Sequence, residues 1–388
     1  MTNEAFIEQN KDADIRSLAL SKVPAGIDLH FCLQQIEGLQ IAQKKLPAWA
    51  KTEGILFPPK VSLEQCSSEQ TALYKQQLVE RLLPMKRAKM ADLTGGFGID
   101  FSYLAKLFDE ADYVERDEHL CEIAQHNFPL LGLQQAKVHC STSENYLDGM
   151  GYFDIIYLDP SRRDAVGRKV VALNDCSPNV EAIHDELLAH APIVLVKLSP
   201  MLDIQDTLRR LPNVGEVHVV SVDGECKEVL LVFCREKQVA TVHCVNLSAQ
   251  EQTFSTTIQN AEPAIATHLE RYLYEPNASI LKAGVQNSLC QKYDVRKLHS
   301  FSHLFISAHF IEDFPGRSFE IEDACSFAKK DLKRMLADIT QCNLTVRNFP
   351  ATVAALRKRL KLREGGDIYL FATTLADGSH ALIRCKRL

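Results

Sequence analysis

The first binding site that this 388-residue sequence predicts lies in a short turn rich in glycine. The turn follows a predicted strand over 89–93, and its glycines let the backbone bend sharply and approach a ligand closely. Asp92 can accept hydrogen bonds from an ammonium group, and the turn should aim the amides of the next helix at a carboxylate. We therefore predict a site for a cofactor with an amino-acid end, such as S-adenosylmethionine (SAM). The predicted cofactor ligands in this turn are Asp92, Thr94, Gly95, Gly96 and Gly98.

Glu115 extends the same predicted site toward a ribose. It lies 19 residues beyond Gly96, the spacing at which a carboxylate meets ribose hydroxyls in doubly wound sheets. Asp117, two residues further on, is the weaker candidate for this role. A nicotinamide cofactor uses similar loop chemistry, but the charge of Asp92 would repel its pyrophosphate. The residues thus favour SAM over a nicotinamide dinucleotide.

A second turn, Asp159-Pro160-Ser161, follows a predicted strand over 153–158 and indicates what accepts the methyl group. The lone pair of an exocyclic amine on a base is delocalised into the ring, so the amine is a poor nucleophile. The Asp159 carboxylate and the Pro160 carbonyl could accept its hydrogens and leave the lone pair facing a methyl donor, which is mainly a gain in positioning. Pro160 has no amide hydrogen to compete for these acceptors. We predict Asp159, Pro160 and Ser161 as the catalytic residues.

Basic residues near this second turn are candidates for binding the substrate. Arg162, Arg163 and Arg168 follow it in a loop and could hold phosphates or a base edge, although a solvated basic loop is an equally good interpretation. Lys197 lies on an otherwise apolar strand and would line the same pocket. We predict Arg162, Arg163 and Lys197 as substrate-binding residues.

Both turns must lie at the carboxyl edge of one sheet for this chemistry to work, and the sequence predicts such a sheet. Short apolar runs alternate with helical patterns, which is typical of an α/β fold with a parallel sheet covered by helices. The predicted strands are 89–93, 111–115, 137–140, 153–158, 193–198, 214–222 and 228–235. The predicted helices between them are 101–108, 118–131, 180–191 and 204–211. The last two strands are separated by only a short connection, so they should form an antiparallel hairpin.

The flanking regions predict separate domains, as does the length of the chain. Residues 1–85 show helical apolar stripes, with a helix over 71–83 that begins after hydroxyl caps near Ser68. Further along we predict strands 239–247 and 253–258, helix 278–291, strand 318–322, helix 324–337, strand 343–347, helix 351–361, and strands 367–374 and 380–386. The predicted domains are a helical segment (1–85), a catalytic domain (86–236), an intermediate α+β region (237–315) and a basic α+β domain (316–388).

Composition and charge limit the classes of function. The net charge is −6, yet residues 347–388 contain nine Lys or Arg against three Asp or Glu. This excess favours a nucleic-acid partner, although a solvated helix face would give the same pattern. No apolar run approaches the roughly 20 residues that span a bilayer, and the acidic N-terminus is unlike a signal peptide. The 12 cysteines are scattered without metal-ligand spacing, so we expect a cytoplasmic protein with reduced thiols and no metal.

At these residues the sequence resembles the class I SAM-dependent methyltransferases. Residues 92–98 resemble their first motif, Glu115 their ribose-binding acid, and residues 159–162 the fourth motif of members that methylate amino groups. The resemblance covers about residues 87–235 and implies a Rossmann-like sheet of seven strands with an antiparallel last strand.

The whole chain more closely resembles a bacterial branch whose members end in a THUMP-like, ferredoxin-like module. This likeness is carried by residues 67–69, 159–163, 198–203 and 358–369. Since THUMP domains bind RNA, the resemblance implies that rRNA or tRNA is the substrate.

Two positions depart from the family pattern and refine the predicted chemistry. Many relatives have an aspartate after the third strand for the adenine amine, and here we assign that role to the Thr142 hydroxyl. Ser161 stands where adenine-N6 methyltransferases usually have an aromatic residue that stacks on the base, so Phe97 or Tyr157 would have to replace that ring. This departure favours guanine N2 over adenine N6.

The sequence therefore predicts a SAM-dependent methyltransferase that transfers a methyl group directly to an exocyclic base nitrogen of RNA. No cysteine lies where a covalent intermediate would need it. Two other hypotheses stay open. One is a protein that binds SAM and RNA without transferring methyl groups, and the other is an NAD-dependent oxidoreductase.

Overall fold

A computed structural model describes residues 1–85, 87–161, 176–236, 239–258 and 261–388 of the protein. The chain divides into two compact units. The first unit comprises Met1–Gly215 with Leu230–Gln238, and the second comprises Glu216–Val229 with Val239–Leu388. The predicted substrate-binding residues Arg162 and Arg163, and the neighbouring Arg168, lie outside the described residues.

Helices form the N-terminal segment, as the sequence predicts. They are α1 (Asn3–Asn10), α2 (Ile15–Ala19), α3 (Leu29–Lys45), α4 (Pro47–Ala50), α5 (Lys60–Gln65) and α6 (Glu69–Leu82). Helix α6 begins after Ser68, whose side chain accepts a hydrogen bond from the Thr71 amide. Trp49 and Phe57 of this segment pack around Phe97 of the glycine turn. The segment thus covers the loop that follows the first strand.

The first unit contains parallel strands whose carboxyl ends share one edge. These strands are β1 (Lys89–Asp92), β2 (Glu110–Glu115), β3 (Ala136–Cys140), β4 (Ile155–Leu158) and β5 (Ile193–Leu198). Strand β4 is buried at every position, as expected for a strand of a parallel sheet that is covered on both faces. The helices of this region are α7 (Ile99–Leu104), α8 (Glu118–Leu130), α9 (Ser143–Leu147), α10 (Val180–His190) and α11 (Ile204–Arg210). All of them except the short α9 were expected from the sequence.

The predicted hairpin follows as β6 (Val214–Val222) and β7 (Glu225–Cys234). Asp223 and Gly224 connect the two strands with φ of 49° and 80°, the positive values that a tight hairpin turn needs. The strand order β3-β2-β1-β4-β5-β7-β6 is the seven-stranded arrangement that the resemblance implies. The sheet continues through β8 (Thr241–Leu247), parallel to β6, and β9 (Gln252–Thr257), antiparallel to β8. It therefore has nine strands, because the chain after β7 pairs alongside β6.

A separate seven-stranded sheet lies within the second unit. Its strands are β10 (Tyr272–Pro276), β11 (Arg296–Lys297), β12 (Phe305–Ser307), β13 (Gly316–Ser326), β14 (Gln341–Arg347), β15 (Arg363–Thr374) and β16 (His380–Arg387), in the order β11-β12-β10-β13-β16-β15-β14. The accompanying helices are α12 (Ala278–Ala283), α13 (Leu289–Tyr293), α14 (Lys329–Met335) and α15 (Val353–Leu360). This is the predicted C-terminal α+β fold. Among the described residues, no helix is both long and apolar enough to cross a membrane.

Some predicted elements of this unit are wrong for local reasons. The predicted helix 278–291 is divided because Gly284, with φ of 72°, ends α12 in a left-handed conformation. The predicted helix 324–337 begins only at Lys329, since residues 324–326 extend β13 and pair with β16. Strands β10, β11 and β12 have no counterpart in the prediction, because runs of two to five residues show little periodicity.

Candidate active site

The glycine turn after β1 has a conformation that suits glycine and no larger residue. Gly96 and Gly98 have φ of 55° and 84°, in the left-handed region. A Cβ atom on Gly95 would lie 2.1 Å from the ring of Tyr113, so this position accepts no side chain. The amides of these three glycines donate to the Val114 carbonyl, the Glu115 carboxylate and the Gly95 carbonyl. The glycines therefore shape the turn so that a ligand can approach the backbone closely. Their own amides already donate hydrogen bonds to other groups of the protein.

One cavity of 530 Å³ is lined by both of the turns that the sequence singles out. Its lining includes the predicted residues Asp92, Thr94, Gly95, Gly96, Gly98, Glu115, Thr142, Asp159, Pro160, Ser161 and Lys197. The turns meet because β1 and β4 are adjacent parallel strands. Thr94 joins them directly: its hydroxyl oxygen accepts a 2.5 Å hydrogen bond from the Asp159 amide and lies 3.5 Å from an Asp92 carboxylate oxygen.

Asp92 is a buried carboxylate in the wall of this cavity, with 1% of the residue exposed. Its Oδ1 accepts a 3.0 Å hydrogen bond from the Thr94 amide. Burial raises the pKa of the Asp92 carboxyl well above its ordinary value, and the nearby charges of Asp100, Asp159 and Glu115 raise it further. A cationic group bound beside Asp92 would oppose these effects and favour the ionised carboxylate.

Glu115 is oriented by backbone amides at the end of β2. Its Oε2 accepts a 2.8 Å hydrogen bond from the Gly96 amide, and its Oε1 accepts from the Arg116 and Asp117 amides. Asp117 caps α8 with its own carboxylate, which accepts hydrogen bonds from the first amides of that helix. The two acids therefore differ: Glu115 is held against the glycine turn, and Asp117 stabilises a helix end.

Thr142 also caps a helix, which the sequence analysis did not anticipate. Its side chain accepts a 3.2 Å hydrogen bond from the Asn145 amide at the start of α9. Because a hydroxyl oxygen has two acceptor sites, this cap leaves the oxygen able to accept from an adenine amine as well.

The second turn combines a buried proline with an exposed serine. Pro160 is buried, while Ser161 is exposed and exchanges two 2.9 Å backbone hydrogen bonds with Ser177. The rings of Phe97 and Tyr157, which were candidates for stacking on a base, are both buried in packed surroundings. Their burial does not favour the stacking role that the sequence analysis considered.

Lys197 contacts the predicted catalytic carboxylate. Its Nζ lies 2.5 Å from an Asp159 carboxylate oxygen, 3.3 Å from an Asp100 oxygen and 3.0 Å from the Ser67 hydroxyl. Only 9% of the residue is exposed. The lysine that the sequence assigns to the substrate is therefore paired with Asp159 and Asp100 in the structure.

Asp100 is the centre of a buried charge network with Lys75 and Lys197. Its Oδ1 lies 3.2 Å from Lys75 Nζ, and its Oδ2 accepts 2.7 Å hydrogen bonds from the Ser67 and Tyr157 hydroxyls. Burial alone would raise the pKa of the Asp100 carboxyl, but the two ammonium groups hold it well below its usual range. Asp100 is therefore ionised and provides a fixed anionic partner for Lys197.

A solved structure resembles almost the entire chain. It is that of a candidate methyltransferase from Porphyromonas gingivalis W83, with 32% sequence identity and a TM-score of 0.88 over 99% of this chain and 97% of the other. The chain belongs to this family of class I SAM-dependent methyltransferases. Its residues 316–387 match the THUMP domain-like family, and residues 272–315 match a family described as a ferredoxin-like domain.

Two other solved structures match only part of this methyltransferase-family chain. A candidate RNA methyltransferase from Pyrococcus horikoshii has 17% identity and a TM-score of 0.35, over 48% of this chain and 94% of its own. A SAM-dependent methyltransferase from Agrobacterium tumefaciens has 16% identity and a TM-score of 0.33, over 43% of this chain and 61% of its own. A search of curated proteins found no match.

The charges around the cavity fit the cofactor of this family. Of the described residues that line it, the acidic ones are Asp92, Asp100, Glu115, Asp117, Glu144 and Asp159, and the basic ones are Arg116 and Lys197. SAM carries a sulfonium and an ammonium group, which are attracted by such an acidic lining. The buried carboxyl of Asp92, surrounded by other acids, is the clearest place for one of these cations.

The contacts of Ser67, Lys75 and Asp100 beside the cavity were not predicted from the sequence. A signal exists for Lys75, which falls in the buried stripe of α6 with Leu78 and Val79, since a lysine is almost never buried without a partner. Asp100 gives no such signal, because acidic residues are common in the first turn of a helix.

Proposed function

We propose that this protein is a SAM-dependent methyltransferase that modifies an exocyclic base nitrogen of rRNA or tRNA, with guanine N2 favoured. One observation carries the proposal: Thr94 links the Asp92 turn to the Asp159 turn within a single cavity. A cofactor bound at the first turn would therefore lie beside a base bound at the second. The THUMP domain-like match at residues 316–387 and the basic composition of residues 347–388 support RNA as the substrate. An RNA substrate also supports a cytoplasmic location.

The proposed cofactor residues each meet a different part of the ligand. Asp92 accepts from the ammonium group, directly or through water, and the glycine turn leaves room for close approach. Glu115 accepts from the ribose hydroxyls, and Thr142 accepts from the adenine amine. When bound, SAM supplies an electrophilic methyl group.

The proposed catalytic residues orient the accepting amine. Lys197 holds Oδ2 of Asp159, which leaves Oδ1 to accept one amine hydrogen while the Pro160 carbonyl accepts the other. The lone pair of the nitrogen is then directed at the methyl group for in-line displacement. The nitrogen loses one proton on methylation, and the Asp159 carboxylate is placed to take it. Ser161, Arg162 and Arg163 are proposed to contact the RNA around the base.

Transfer of labelled methyl groups from SAM to total RNA tests this proposal. Asp159→Ala should lower the transfer rate by at least about 100-fold, while the dissociation constant for SAM changes little. Asp148→Asn, which alters an exposed acid outside the lining of this cavity, serves as the control and should leave both quantities unchanged. Mass spectrometry of nucleosides from rRNA and tRNA identifies the product.

A protein that binds SAM and RNA without transfer is the second candidate, and the ion pair between Lys197 and Asp159 favours it because the pair occupies one of the two carboxylate oxygens. This candidate predicts that the wild type binds both ligands yet labels no RNA fraction. An NAD-dependent oxidoreductase instead predicts thermal stabilisation by NAD and no response to S-adenosylhomocysteine.

A further inference from the structure

Glu216, His218 and His243 form a cluster on neighbouring strands of the second unit. His218 of β6 is the direct parallel partner of His243 of β8, and Glu216 precedes His218 by two residues on β6. Directly paired residues, and residues two apart on one strand, project from the same face of a sheet. The topology thus gathers three potential metal ligands that are separated by up to 27 positions in the sequence. The proposed methyl transfer uses none of them.

The distances within this cluster approach those of a metal site. The three ligand atoms lie within 4.8 Å of one another. His218 Nε2 is 2.9 Å and His243 Nε2 is 3.7 Å from the same oxygen of Glu216. Ligand atoms around tetrahedral zinc, at bond lengths of roughly 2.0–2.1 Å, are about 3.4 Å apart. Small rotations of the side chains would therefore bring all three atoms to bonding distance of one ion.

The two imidazole rings are held in place from outside the cluster. They stack with centroids 4.5 Å apart and an angle of 15° between their planes. The other ring nitrogen of His243, Nδ1, lies 2.8 Å from the hydroxyl of Ser255, its partner on β9. With Nδ1–H donating to Ser255, Nε2 of His243 presents its lone pair to the cluster. Such an outer hydrogen bond is what fixes the tautomer of a metal-binding histidine.

One ligand of the cluster is buried and the other two are partly exposed, as expected for a metal site that solvent can reach. His218 is 2% exposed, so one ligand is firmly embedded. The side chains of Glu216 and His243 are 20% and 22% exposed. An ion can therefore reach the cluster from solvent, and a water molecule can complete its coordination.

We propose that Glu216, His218 and His243 bind a divalent transition-metal ion, with Zn²⁺ the first choice. Two imidazoles and one carboxylate, with water as the fourth ligand, are a donor set that zinc takes in proteins. In the metal-free protein the cluster is held by the hydrogen bond between His218 and Glu216. The ion takes the place of that hydrogen bond between the same two side chains and ties β6 to β8. No metal was predicted because the sequence has no closely spaced ligands, whereas these three residues are brought together by strand pairing.

Metal titration of the full-length protein, purified without a histidine tag and stripped by chelator, tests the site. Zn²⁺ affinity is measured against a competing chelator, and Co²⁺ is used as a spectroscopic probe. We expect one Co²⁺ with the visible bands of tetrahedral nitrogen and oxygen coordination. A thiolate charge-transfer band should be absent, which distinguishes this cluster from a site made of cysteines. Zn²⁺ should also raise the thermal unfolding temperature.

Matched variants make the outcome decisive. His243→Gln and Glu216→Gln alter partly exposed ligands, and each should weaken Zn²⁺ binding by more than about 100-fold, whereas Ser255→Ala should weaken it about 10-fold. His268→Gln is the control, because His268 is an exposed histidine beside Glu270 in the same unit, and it should bind like the wild type. Equal Zn²⁺ affinity in the wild type and His243→Gln, or a Co²⁺ spectrum dominated by thiolate, would overturn the proposal.

Discussion

The glycine turn and the buried charge network line one cavity but are specified in different ways. The glycine turn is largely a local feature, since residues 92–98 contain its glycines and its partners Tyr113, Val114 and Glu115 all lie on the neighbouring strand β2. The buried charge network joins Lys75 of α6, Asp100 of α7 and Lys197 of β5. Its members come from three elements that are distant in the sequence, and Lys75 joins the other two through the packing of the N-terminal segment.

This difference explains which functional residues a sequence reveals. A left-handed turn beside a ring requires glycine at fixed positions, so the residue types themselves display the constraint. An ion pair between distant elements requires only opposite charges, which are common along the chain. The two regions should therefore also respond differently to substitution.

Lys75→Met should give the largest effect, because it removes a charge from the centre of the network. Lys75 is fully buried, and its Nζ lies 3.2 Å from Asp100. Removing one partner of a buried ion pair leaves the other charge under-compensated and typically costs about 3–5 kcal/mol. We expect the free energy of unfolding to fall by about this amount in urea denaturation.

Two controls isolate the ion pair in that experiment. Lys60→Met removes a lysine from a surface pair with Glu37 and should change the free energy of unfolding very little. The double variant of Lys75→Met and Asp100→Asn should recover part of the stability, since it also removes the stranded charge. If Lys75→Met lowers the free energy of unfolding no more than Lys60→Met does, the negative charge of Asp100 is stabilised sufficiently without Lys75.

Gly95→Ala should be the next largest change, and it tests the glycine turn. The added methyl group would lie 2.1 Å from the Tyr113 ring, so either the turn or the ring must move. Overpacking of this kind costs about 1–3 kcal/mol, and the displaced turn should also bind SAM more weakly. Calorimetry measures the affinity, and urea denaturation measures the stability.

Gly149→Ala is the matched control, because a Cβ atom there would meet no atom within 4 Å. It should leave the affinity for SAM unchanged. If Gly95→Ala also binds SAM normally, the close packing of the turn against Tyr113 is not needed for the site.

The same distinction between local and distant constraints accounts for how far the fold could be predicted. Strands β4 and β5 and the hairpin of β6 and β7 follow from apolar runs and a short turn. The pairing of β8 with β6 could not be predicted, since nothing in either strand specifies its neighbour. At the site, the sequence indicated that the turns of Asp92 and Asp159 lie at one edge of the sheet, and both line the cavity. The contacts of Lys197 with Asp159, Asp100 and Ser67 could not be predicted, because they join elements that are distant in the sequence.

Lys197→Met should separate positioning of the catalytic carboxylate from binding of the substrate. Without the ammonium group, Asp159 loses the contact that fixes one of its oxygens. Misplacement of a positioning group lowers the rate by about 10–100-fold, so we expect kcat for RNA methylation to fall while KM stays nearly constant. Lys197→Arg, which keeps the charge, should recover part of kcat. A raised KM with an unchanged kcat would instead favour the substrate-binding role predicted from the sequence.

The pH dependence of SAM binding should give the smallest effect and bears most directly on Asp92. Burial raises the pKa of Asp92 above its ordinary value, so the carboxyl takes up a proton at a higher pH than an exposed aspartate does. The ammonium group of SAM attracts only the ionised form, and binding must therefore release that proton. The dissociation constant should fall as the pH rises from about 4 through the raised pKa and then level off. Asp92→Asn should bind SAM more weakly and flatten this dependence, whereas Asp148→Asn, at an exposed acid outside the cavity lining, should retain it. An unchanged slope in Asp92→Asn would mean that another group releases the proton and that Asp92 does not contact the ammonium.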